Sequence, residues 1–80
     1  MKYITERITI DEGLMDGKPT IRETRITVQT ILEFLSAGDT TEDILKQYPS
    51  LDKEDITECI RFAAKLMEHN YSIKDVAAAG

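Results

Sequence analysis

Tryptophan is absent, and cysteine and histidine occur once each in 80 residues. A lone Cys59 forms no internal disulfide, which agrees with a reducing compartment. One Cys and one His, at no ligand spacing, leave nothing for a structural or catalytic zinc site. Apolar stretches long enough to span a bilayer are also missing, so no membrane-inserted segment is expected. The first residues meet an acid at Glu6, too early for a secretory leader, and a cytoplasmic location is the expectation. Basic charge is scarce as well: 10 Lys and Arg stand against 15 Asp and Glu, a net charge of -5. That sign keeps the molecule in solution and repels nucleic acid at long range, whereas a basic protein would be attracted.

What is present reads as one small domain, 1–80. With 41% hydrophobic and 31% charged residues, the composition lies in the globular range. A chain this short rarely buries a comfortable core alone, so a homodimer or a complex with another protein is expected.

Residues 3–26 read as short strands and turns. The run over residues 3–10 is rich in Tyr, Ile and Thr, with Ile8 and Ile10 at period two, which predicts a short strand. Asp11-Glu12-Gly13 and Asp16-Gly17 are turn chemistry, and Pro19 forces Lys18 out of the helical region into a second extended run ending near Arg22.

Residues 27–68 carry helical periodicity. Thr27 is placed to cap a first helix whose inner face is Val28, Ile31, Leu32 and Leu35, and Gly38 ends it. Thr40 with Asp43 forms a capping-box variant opening a second helix, with Ile44, Leu45 and Tyr48 inward and Pro49 as its stop. Asp52 with Asp55 caps a third, and Leu51 and Ile56 occupy the positions of a hydrophobic staple. The expected buried stripe of that helix is Ile56, Cys59, Ile60, Ala63 and Met67, broadened by Phe62 and Leu66. Glu54, Asp55 and Glu58 are expected at the helix dipole and on a solvated face. The tail, residues 71–80, has weaker periodicity: a short helix, a strand added to a partner, or a loose end all fit residues 71–76.

The overall expectation is a mainly α fold: a three-helix helix-turn-helix bundle with a short N-terminal β-hairpin. On that scaffold the third helix would read DNA through Lys53, Thr57, Arg61 and Lys65, while Lys18, Arg22 and Arg25 on the hairpin would lie along the phosphates. Against this, residues 39–58 hold seven acids and two bases, a surface that repels phosphate. For Arg22 and Arg25, phosphate contact and internal pairing with Glu23, Glu33 or Asp16 are both open. Cys59 on an apolar stripe is expected to be a buried hydrophobe, not a nucleophile, and no carboxylate pair is placed in a cleft by the pattern. A non-enzyme is therefore expected.

The run from Gly17-Lys18-Pro19-Thr20-Ile21-Arg22 through Thr24-Arg25-Ile26-Thr27-Val28, followed by Ala37-Gly38, Ile44-Leu45 and Tyr48-Pro49, resembles the prokaryotic family called domain of unknown function 433. The similarity covers residues 8–67. It implies a winged or homeodomain-like helix-turn-helix, often encoded beside a PIN-like ribonuclease toxin, with some members described as VapB-type antitoxins. On that resemblance the expected partners are a PIN-like toxin and operator DNA, with Tyr71, Ile73 and Val76 as toxin contacts. Where the family usually carries glycine before the Thr-Arg pair, this chain has Glu23, so a left-handed turn there is not assured.

Overall fold

The computed structural model describes residues 1–68. Three strands, β1 (Lys2–Tyr3), β2 (Ile8–Ile10) and β3 (Thr20–Ile21), precede three helices, α1 (Val28–Ser36), α2 (Thr41–Gln47) and α3 (Lys53–Leu66). The strands form one antiparallel sheet in the order β1-β2-β3, with Lys2 opposite Ile10, Tyr3 opposite Thr9, and Ile8 opposite Ile21. The expected single strand over residues 3–10 is instead a hairpin. The Thr5 hydroxyl accepts from the Arg7 and Ile8 amides at 3.2 and 3.0 Å, and the Ile4 amide donates to the Ile8 carbonyl at 2.8 Å, folding the chain back. The second extended run is β3, ending beside Arg22 as the sequence predicts.

Between β2 and β3 two turns follow one another: the Leu14 amide donates to the Asp11 carbonyl at 2.9 Å, and Met15–Gly17 then has positive φ at three successive residues, 53° at Met15, 58° at Asp16 and 76° at Gly17. After β3 the Thr24 amide donates to the Ile21 carbonyl at 3.0 Å, closing a turn in which Arg22, and not Glu23, takes a positive φ of 49°. The left-handed residue thus falls one position ahead of the place where the family's glycine would stand.

The helix caps form as their sequences dictate. The Thr27 hydroxyl accepts from the Thr30 amide at 3.1 Å, and Gly38 follows α1 with φ 100°. Thr40 with Asp43 and Asp52 with Asp55 both close complete capping boxes. The bonds from the Thr40 backbone and hydroxyl hold the Asp43 carboxyl below its usual range.

Ile8 and Ile21 from the sheet, Val28 and Ile31 from α1, Ile44 from α2, and Leu51, Ile56 and Cys59 at α3 form the core. Leu32, Leu35, Leu45 and Tyr48 are half-buried around it, and Phe34 meets Tyr48 edge-on at 6.0 Å. Leu51 and Ile56 are both buried, as a staple requires.

The expected α3 stripe needs correction. Ile60 is 50% exposed and Met67 67%, and Leu66 is exposed, while Asp55 and Glu58 are buried in their stead. The helix is rolled toward its Asp55–Glu58 side because arginines reach across from the sheet to meet that side. Hydrophobicity alone could not anticipate the rotation.

Candidate functional site

The first residues of α3 gather an ion cluster. Arg7, in the β1–β2 loop, donates through one Nη to Asp52 Oδ1 and Asp55 Oδ1, both at 2.9 Å. Arg22 donates from Nε to Asp55 Oδ1 at 3.1 Å and from Nη2 to Asp55 Oδ2 at 2.6 Å, with a further bond to the Ser50 carbonyl at 2.9 Å. The Asp52 amide donates to Asp55 Oδ2 at 3.0 Å. Each Asp55 oxygen therefore accepts twice, and the carboxylate is fully enclosed. Burial by itself raises its pKa, but the bonds from Arg22, the Asp52 amide and Arg7 outweigh that and hold the net value below the usual carboxylate range. The same bonds to Asp55 and Asp52 raise the Arg7 guanidinium. With its acceptor sites occupied the Asp55 carboxylate is a poor base, and the cluster fastens the sheet to α3.

Expected as helix-dipole and surface charges, Asp55 and Glu58 are instead buried acids with partners; Glu58 accepts from Arg61 at 3.0 Å. Next to them Cys59 is buried, and burial together with the Asp55 and Glu58 charges pushes its thiol up to about 12. Such a thiol is neutral and unreactive at ordinary pH. Among the described residues, no group of three or more His, Cys, Asp or Glu side chains is placed to hold a metal ion.

The seven residues expected at DNA divide into two groups. Arg22 is held by Asp55 and Arg61 by Glu58; for Arg22, the internal partner is none of Glu23, Glu33 or Asp16. Lys18, Arg25, Lys53, Thr57 and Lys65 are exposed, and the four cations among them make no ion pair with another described residue. The proposed contacts Tyr71, Ile73 and Val76 lie outside the described residues.

A groove of about 410 Å³ opens between α1 and the C-terminal half of α3. Val28 and Leu32 form one wall and Phe62, Ala63 and Leu66 the other, with Pro19 at one end and Gln29, Glu33 and Ser36 as its polar margin. It forms where the inward stripe of α3 runs past the core: beyond Cys59, Phe62 and Ala63 are half-buried beside the edge of α1. On the far side of Phe62 a second cleft, of about 420 Å³, is lined by Ile4, Thr5, Glu6 and the charged α3 side chains Glu58, Arg61 and Lys65. The periodicity places Leu32, Phe62 and Leu66 on inward faces but not in a groove, and it gives no sign of Arg7 at all. The only sequence trace of that arginine is a base within a strand-rich run, which specifies no partner.

Together these features define a small three-helix domain fronted by a short antiparallel sheet, with an apolar channel between α1 and α3. The chain belongs to the family described as Protein of unknown function (DUF433), whose sequence profile matches residues 8–63. It is similar to the crystal structure of a DUF433 member protein from Anabaena variabilis ATCC 29413, with a TM-score of 0.75 and 29% identity over 81% of this chain and 64% of that one. It is also 35% identical over 51 residues to the Uncharacterized protein y4eO of Sinorhizobium fredii (strain NBRC 101917 / NGR234), which covers 64% of this chain and 23% of that protein. The chain thus spans less than two thirds of either relative.

Proposed function

We propose that this chain is a small non-enzymatic helix-turn-helix regulatory protein of the antitoxin type, which binds a cognate ribonuclease-type toxin and operator DNA. The groove between α1 and α3 carries this reading, since an apolar channel of that size in so small a domain is a surface kept for another protein's side chains. Charge supplies the selectivity. A ribonuclease must attract RNA and so presents basic surface, and a chain of net charge -5 with Glu42 and Asp43 on α2 and Glu54 at the start of α3 is its electrostatic complement. The antitoxin class itself rests on the resemblance to a family partly described in those terms. Homodimerisation and a cytoplasmic site of action belong to the same proposal.

The test is co-expression with the product of the neighbouring gene, followed by calorimetric titration of the two purified proteins. Binding that weakens when Leu32 is replaced by Glu supports the proposal, and two proteins that stay separate at micromolar concentration overturn it.

A second reading keeps the partner-binding role but discards nucleic acid: a protein-interaction module on a helix-turn-helix scaffold. The engagement of Arg22 by Asp55 and of Arg61 by Glu58 favours it, because two of the seven side chains that would meet operator DNA are already neutralised. Operator DNA that shifts in a gel at low salt and is released as salt rises would restore the regulator reading; absence of any shift across ionic strengths supports the module.

A further inference from the structure

We propose that two copies of this chain associate through the outward flank of α3, as an antiparallel α3–α3 pair. The rolled helix turns a second stripe to solvent: Lys53, Thr57, Ile60, Ala64 and Met67 are all exposed and follow one another at intervals of four, three, four and three residues. That alternation is the seam of a two-helix contact. None of the five lines the groove between α1 and α3, whose α3 wall is Phe62, Ala63 and Leu66. The pairing rests on the homodimer in the reading above and not on the toxin, for which the groove is left open.

The charges select both the partner and its direction. Glu54 and Arg61 each stand one position after a seam residue, so they lie along the same border of the stripe with opposite sign. In a two-fold antiparallel pair that border meets itself reversed: Glu54 of each copy lies beside Arg61 of the other. A parallel pair would set Lys53 against Lys53 instead. In the antiparallel register Ile60 packs on Thr57 of the other copy, twice, and Lys53 lays its aliphatic stem over Ala64. Glu54 makes no ion pair with another described residue, and the Arg61 side chain is 64% exposed even while it holds Glu58. The net charge of -5 on each copy repels the other at long range, but physiological salt confines that repulsion to about 8 Å. A helix of 14 residues is about 21 Å long, so the contact is small and a dissociation constant on the order of 100 µM is expected. At the dilution of a thermal melt the chain is therefore monomeric.

The test is sedimentation equilibrium of the full chain from micromolar to millimolar concentration. The wild type is expected to pass from monomer to dimer, and Ile60→Glu to stay monomeric throughout. Glu54→Arg and Arg61→Glu, each checked for wild-type circular dichroism, should each dimerise about tenfold more weakly. An equimolar mixture of these two variants should recover the wild-type association, because every border contact between them is again of opposite sign. A wild type that is monomeric at every concentration overturns this proposal together with the homodimer, and leaves the toxin titration as it was. A dimer that survives Ile60→Glu overturns this proposal alone, and its loss in Leu32→Glu would seat the second copy in the groove instead. Single charge variants that dimerise like the wild type, or whose mixture stays weak, overturn the antiparallel pairing.

Discussion

Asp55 joins two of the four ion pairs among the described residues. Replacing Asp55 by Asn leaves two cations facing a group that accepts at one oxygen only, and part of the α3 capping box is lost. The cost is expected near about 3 kcal/mol, the low end for a broken buried pair because both arginines are partly solvated. Urea denaturation measures it. The pH dependence comes from the same carboxylate. Its folded pKa lies below the unfolded value, so the unfolded chain binds the extra proton as acid is added. The stabilisation is complete above about pH 4, the ordinary carboxylate range, and is lost as pH falls through the folded value. Thermal melts from neutral to strongly acidic pH should therefore show a steeper acid loss for the wild type than for Asp55→Asn. Arg22 carries two roles at once, an ion pair and a backbone with φ 49°. Arg22→Ala forfeits the pair and keeps the strain, whereas Arg22→Gly forfeits the pair and relieves it. The Gly variant should be the more stable by about 1 kcal/mol in the same urea titration.

Among the elements, α3 separates what the amino-acid pattern discloses from what it hides. Ile56→Ala is expected to cost about 2–5 kcal/mol, as a fully packed core deletion does, and Ile60→Ala under about 1 kcal/mol, since half of that side chain is already in water. Equal losses in thermal melts would mean that Ile60 is covered by something the monomer lacks. Start and stop signals are legible because they are local: Thr27, Gly38, Thr40 with Asp43, and Asp52 with Asp55 each act within a few residues of themselves. The rotation of α3 is not legible, because it is set by Arg7 and Arg22 meeting Asp55 across 48 and 33 positions of sequence. A helical period that admits Asp55 and Ile56 as neighbours cannot say which of the two flanks turns inward. The break in the N-terminal strand escapes the pattern for a smaller reason: Thr5 favours strands by composition, yet its hydroxyl caps the turn that ends one. The groove walls are present as apolar positions, but a groove is a shortage of neighbours, and periodicity records only the residues that are there.

For the molecule as a whole, the proposed partner reading makes association rate a sensitive variable. A net charge of -5 should speed encounter with a basic protein at low salt, and stopped-flow binding rates should fall as salt is added while dissociation changes little. Arg7 leaves the sheet before β2 and Arg22 leaves it after β3, and both close on one carboxylate in the helix that ends the described chain. The first third of the sequence and the last described segment are thereby knotted at a single atom group. Sheet and bundle should open as one event: in native-state hydrogen exchange the amides of Ile8 and Cys59 would be released together, at the global rate, and no half-molecule with an intact bundle and a frayed sheet should accumulate for a protease to find.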